Sequence, residues 1–340
     1  MRIAVPTALA VLCAPLALAQ DAPPSSKTLT FGHPVAPVEI QEVVNIMRSA
    51  AEIQKVNADN DRATITLTAP IAQVALSEWL FHQLDYSAEA HPSGAAQYQF
   101  DDPKNPAVRV FYLANMSNAQ QIQELVNVIR ATAEIARITA YNRLHAIIAR
   151  GSARQIELAE WVVAHLDLPG NPPVPPPTAA TAYECENIHD TGVAARIFYL
   201  HNVRQPQDRQ EVVNTIRSIT EIQRITIFNP DSAIVVRADN QQAAAAEWLI
   251  GHLDQPAGTQ PANAVEYQLS DEHTPIVELY YLAHLSNAQD IQTLINAIRG
   301  RTQIQRITAS NLVRAIILRG SGNQVAQATA LVQEKDKPAQ

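Results

Sequence analysis

Apolar positions recur at helical spacing four times along the chain. Ile40, Val43, Val44 and Met47 follow an i, i+3, i+4, i+7 register, as do Ile122, Leu125, Val126 and Ile129, and Ile291, Leu294, Ile295 and Ile298. The remaining copy keeps Val212, Val213 and Ile216 but starts on Arg209. One apolar stripe predicts a helix that packs by one face. Ahead of the second copy, Val108–Leu113 is β-branched and aromatic and predicts a strand. Behind it follow strands over Ile135–Ala140 and Ala146–Arg150. A second helix over Ser152–Leu166 then buries Ile156, Ala159, Val163 and Leu166.

Equivalent arginines, Arg48, Arg130, Arg217 and Arg299, stand 82, 87 and 82 residues apart, which marks a tandem array. The expected units are 28–85, 97–167, 181–254 and 264–336, each β-α-β-β-α. Units two to four carry an extra strand ahead of the first, over Tyr98–Phe100, Tyr183–Cys185 and Tyr267–Leu269, joined to it as a hairpin. Asn60, Asn142, Asn229 and Asn311 recur between the last two strands, where asparagine tolerates left-handed backbone in a tight turn. The fold class expected is α+β: four small mixed sheets, each covered on one face by its two helices. Leu168–Ala180 contains six prolines and reads as a stiff spacer.

The opening MRIAVPTALAVLCAPLALAQ has one cation, an apolar stretch and Ala17-Leu18-Ala19, the build of a secretory signal peptide over residues 1–19. The stretch is short for a membrane span, and residues 20–27 then read as a mobile leader. Removing Arg2 with the signal takes the formal charge from −8 to −9, which argues against nucleic acid or an anionic membrane as partner. Cys185 is then the one mature cysteine, so no intrachain disulfide forms.

The segments RVFYLANMSNAQQIQELVNVIR and ITAYNRLHAIIARGSARQIELAEWVVAHLDLP resemble the periplasmic N-domain repeats of bacterial secretins. Val110–Leu113, Asn142, Ile147–Gly151 and Leu166-Asp167 carry the match in unit two, and Ile316–Gly320 its strand portion in unit four. The resemblance implies ring-building modules of type II and III secretion or type IV pili. The glycine- and β-rich channel region of that family has no counterpart here, so the chain is not expected to form a pore.

Candidate interface residues follow from the recurrences. Trp79, Trp161 and Trp248 recur in the second helix, with Ala330 in unit four. Trp161 lies ~140° around the helix from Ile156, on a flank with Leu158 and His165, at ~100° per residue. Such a residue completes its own core or makes a contact between units or subunits. Asn45/Arg48, Asn127/Arg130, Asn214/Arg217 and Asn296/Arg299 lie away from the apolar stripe. They form either a solvated face, with Arg48–Glu52, Arg130–Glu134 and Arg217–Glu221 pairs, or a docking stripe.

No catalytic residues, cofactor site or metal ligands are expected. The histidines lack metal-ligand spacing, no phosphate loop or nucleophile elbow occurs, and Ser152 and Ser321 open helices as caps. The expectation is a periplasmic, non-enzymatic scaffold that meets protein partners or copies of itself in a ring. The alternative is a monomeric exported binding module for peptides or cell-wall material.

Overall fold

The computed structural model describes residues 24–87, 90, 92–169, 181–185, 192–256, 258–261 and 263–338. The expected signal peptide and residues 170–180 of the proline-rich spacer lie outside these. Four units follow one another. The first comprises β1 (Ser25–Thr30), α1 (Pro37–Ala50), β2 (Lys55–Asp59), β3 (Thr64–Ala69) and α2 (Ile71–Leu84). The second comprises β4 (Gly94–Gln99), β5 (Ala107–Tyr112), α3 (Ala119–Ala133), β6 (Arg137–Tyr141), β7 (Ala146–Gly151) and α4 (Ala153–Leu166). The third has β8 (Thr181–Glu184), β9 (Val193–Tyr199), α5 (Pro206–Thr220), β10 (Arg224–Phe228), β11 (Ala233–Asp239) and α6 (Asn240–Leu253). The fourth has β12 (Val265–Gln268), β13 (Ile276–Tyr281), α7 (Ala288–Thr302), β14 (Arg306–Ser310), β15 (Ala315–Gly320) and α8 (Gly322–Lys335).

The α+β class holds, but the sheets are not mixed. Strand orders β1-β3-β2, β4-β5-β7-β6, β10-β11-β9-β8 and β12-β13-β15-β14 make every neighbouring pair antiparallel. The helical crossover from β1 to β2 leaves a gap one strand wide, and β3 turns back to fill it. Parallel strands are thereby separated. The extra strands β4, β8 and β12 do pair as hairpins with β5, β9 and β13, starting a few residues earlier than the tyrosines suggested. β1 begins at Ser25, so it takes in the end of the segment read as a leader: pairing Ser25↔Ala69 to Thr30↔Thr64 needs backbone groups only.

Local signals set the ends. Asn118 caps α3 by accepting from the Gln120 and Gln121 amides (2.8 and 3.4 Å). Ser152 Oγ accepts from Gln155 N, and the Gln155 side chain accepts in return from Ser152 N, a capping box. The recurring aspartate after each second helix receives the loop that follows the first strand. Asp167 accepts the amides of Ala114, Asn115 and Met116; Asp254 those of His201, Asn202 and Val203; Asp336 those of Ala283, His284 and Leu285; Asp85 that of Gly32. The recurring asparagines are not the left-handed residues of their turns. That conformation falls three residues later, on Ala63, His145, Ser232 and Arg314 (φ 46 to 50°).

Helices on one face is half of the arrangement. α1 also lies against β6 and β7 of the next unit, α3 against β10 and β11, and α5 against β14 and β15. Sheet and helix layers therefore alternate through the molecule, and each internal helix layer is shared. Module one's core includes Val108, Val110, Tyr141, Ala146 and Ile148 from the second sheet. Module two's includes Ile197, Phe228 and Val235; module three's includes Val277, Leu279 and Ile317. Module four's core draws only on its own sheet. The central strands show this directly. β7 and β15 are buried at every position, whereas β3 alternates, with Thr64, Thr66 and Thr68 outward.

Candidate interface at the module junctions

Each junction repeats the same contacts at equivalent positions. On the underside of the third strand, a buried arginine reaches the C-terminal carbonyls of the preceding module's first helix. Arg150 donates to Ala50 O (2.7 Å), Arg237 to Thr132 O (3.2 Å) and Arg319 to Ile219 O (3.2 Å), where the helix dipole favours a cation. A tyrosine at the end of the first strand does the same for the second helix. Tyr112 Oη donates to Gln83 O (2.8 Å), Tyr199 to His165 O (2.6 Å) and Tyr281 to His252 O (3.5 Å).

The glutamate just past each first helix completes the arginine contact. Glu52 takes Arg137 and Arg150, Glu134 takes Arg224 and Arg237, and Glu221 takes Arg306 and Arg319. These glutamates are held at φ 58, 55 and 63°, which turns them off the helix and onto the next sheet. Burial alone would raise the Glu134 carboxyl; Arg224 and Arg237 overcome it and hold it below the ordinary glutamate range. The expected i, i+4 pairs with Arg48, Arg130 and Arg217 are thus not formed. Left-handed backbone at the cap carries the carboxylate away from its own helix.

A second carboxylate engages three of the four asparagines. Glu42 binds Asn142, Glu124 binds Asn229, and Glu211 binds Asn311, each through backbone and side-chain N–H groups. Apolar side chains supply most of the adhesion, at roughly 1.5–3 kcal/mol for each fully buried Val, Ile or Phe. The glutamates of these ion pairs are part-exposed and the desolvation of the buried arginines offsets their attraction, so the polar contacts chiefly set register and direction.

Trp79, Trp161 and Trp248 are half-buried and face the extra strand of the following module. Their rings lie 5.3 Å from Tyr98, 5.7 Å from Tyr183 and 5.5 Å from Tyr267. Asn127, Arg130, Asn214, Arg217, Asn296 and Arg299 are solvent-facing. Arg130 donates to Asn127 Oδ1 and to Ile138 O (both 3.0 Å), Arg217 to Ile225 O (3.4 Å) and Arg299 to Ile307 O (3.0 Å). Each arginine therefore ties its helix to the second strand of the same module. Gln123, Gln210 and Gln292 donate to the asparagines from one turn before.

The terminal units lack the matching halves. Lys55 and Thr68 stand in module one where the others have two arginines, and Thr30 stands for the tyrosine. Thr293, Gln303 and Ala330 stand in module four for the two glutamates and the tryptophan. That register-specific loss was the signal in the sequence for the glutamates, arginines and tyrosines, which recurrence alone did not single out.

The middle junction differs. Leu144 and Val313 insert into the preceding module's core, but their counterpart is Asp231, 6% exposed, with Oδ2 lacking a partner among the described residues. Burial, with the Asp167 carboxylate adding to it, pushes Asp231 up to about 7. Arg209, also buried, donates to Asn229 Oδ1 (3.1 and 3.3 Å), Arg204 O (2.7 Å) and Ser232 Oγ (3.1 Å), which accounts for its place in an apolar register. Cys185 is buried beside the same core, and burial raises its thiol despite Arg237.

No family model matches the chain, and no curated protein matches it. Among solved structures, it is similar to a chain of the ETEC pilotin–secretin AspS–GspD complex (TM-score 0.17, 15% identity, 69% of this chain and 38% of that one). It is also similar to ExeD of Aeromonas hydrophila (TM-score 0.17, 14% identity, 72% and 42%). A third is an aspartate kinase from Synechocystis (TM-score 0.18, 10% identity, 93% and 54%). The chain spans less than half the length of the first two.

Proposed function

We propose that this chain is an exported, periplasmic, non-enzymatic scaffold of four secretin-N-like modules, accessory to a secretion or type IV pilus-like assembly. It works by presenting module faces to protein partners, or to copies of itself in a ring. The observation that carries this reading is the junction. The same arginine, tyrosine and glutamate contacts recur three times and join the modules through shared helix layers. Such construction spends its specificity on holding shape, with outward faces left for docking.

Light scattering on residues 20–340 over a range of concentration and salt tests the ring arm, which requires a mass many times that of the monomer. Deletion of the gene in its own host tests the scaffold arm, with loss of secreted protein or pili expected. A constant monomer together with intact secretion and piliation overturns the proposal. The same monomer would support the alternative, an exported binding module for peptides or cell-wall material. That reading is favoured by the clamp halves missing from both terminal modules.

A further inference from the structure

On module three, the groove beside the first helix is bordered by the next module's turn. This depression, about 400 Å³, is lined by Val203, Asp208 and Leu253, and Leu312 from module four's turn forms part of its wall. Val313 beside Leu312 enters the same core, as Leu144 does at the first junction. Module four carries the equivalent groove, about 210 Å³, at Leu285, Asp290 and Lys335, with Leu294 and Ala297 in its floor. Leu285, Asp290 and Lys335 are the register counterparts of Val203, Asp208 and Leu253.

Ala297 is exposed, whereas its counterparts Ile46, Val128 and Thr215 are buried under a following sheet. The clamps are gone, since Thr293, Gln303 and Ala330 replace two glutamates and a tryptophan. An apolar floor without clamps suits a contact that forms and releases. We propose that the outer face of α7 and α8 is a reversible docking site for a separate protein, one that presents an apolar β-turn at the edge of a sheet. This rests on the scaffold reading and names the kind of partner.

A second copy does not fit. Among the described residues, the sheet with a free face is that of module one; it shows Ser26, Thr28, Thr66 and Thr68 there, and Asp61-Arg62 stands where Leu312-Val313 stands in the turn. Continuity with the first and third junctions, whose turns bring Leu144 and Val313 into the preceding core, is what selects the partner's shape.

The probe is a head-to-tail cyclised, fluorescent peptide of residues 306–319 of this chain, which carries the Leu312-Val313 turn, titrated into residues 20–340. Saturable binding is expected. It should weaken at least about ten-fold with V313D in the peptide or A297E in the protein, and strengthen about ten-fold with T293E and Q303E together. Ala297 is exposed, and an unchanged melting curve confirms that A297E is folded. No binding to the wild type or to T293E/Q303E overturns the proposal, as does affinity indifferent to A297E. Concentration-dependent self-association abolished by A297E would also overturn it, in favour of a second copy. Intact binding with a dispensable gene would instead sink the scaffold reading alone.

Discussion

Replacing Asp231 by asparagine should make the protein more stable, and by an amount that depends on pH. Asp231 occupies a position that holds Leu144 and Val313 at the other junctions, and it faces Asp167 at the end of α4 and Tyr199 on β9. Its folded pKa of about 7 lies above the ordinary 3.8, so folding disfavours the ionised form. Below pH 3.8 both states are protonated and nothing is lost. Between there and pH 7 only the unfolded chain ionises, and stability falls by ~1.4 kcal/mol per pH unit, to a ceiling of ~4 kcal/mol. Above pH 7 the loss is complete and flat. D231N should therefore gain ~2–4 kcal/mol at pH 8 and under ~1 kcal/mol near pH 4, and D231L somewhat more through added apolar burial. Urea denaturation followed by Trp161 fluorescence reads the right junction, because Trp161 lies against Tyr183 there. A gap between variant and wild type that does not narrow toward pH 4 would refute the reasoning.

Further outcomes are expected elsewhere. D167N should cost ~1–3 kcal/mol, since three amides lose a charged acceptor, and hydrogen exchange at Ala114–Met116 should accelerate. A double-mutant cycle on Trp248 and Tyr267 should give a coupling of ~0.5–1.5 kcal/mol, and a coupling of zero would assign Trp248 to its own module's core. L269F should place a ring over Arg319 as Phe100 lies 4.2 Å from Arg150, filling part of a 160 Å³ pocket and raising the unfolding free energy by ~0.5–1 kcal/mol, read as a higher urea midpoint.

The elements were legible because their signals are local. Helical spacing at Ile122–Ile129 and the Asn118 and Ser152 caps depend on neighbours within a turn or two. The stacking depends on what lies under each sheet, yet one trace of it was present. TITLTA alternates over β3, while AIIARG and AIILRG run apolar without alternation, as strands covered on both faces do. The pairing of Glu134 was misread for a different reason. Sequence spacing places it one turn after Arg130, but its left-handed backbone takes it off that helix to residues about 90 and 103 positions away. The asparagines do sit in the turns, but the junction contacts of Asn142, Asn229 and Asn311 went unread because a turn role and a junction role ask for the same small polar side chain.

The junction has a direction, since carboxylates always lie on the earlier module and guanidinium groups on the later one. Modules two and three carry both halves. Genetic duplication of either would give a longer chain whose new seam is already complementary on both sides. Copying module one or module four would set a threonine-faced sheet or an unclamped helix pair against a neighbour, and the seam would fail. Growth of such a protein is thus possible from its middle and barred at its tips.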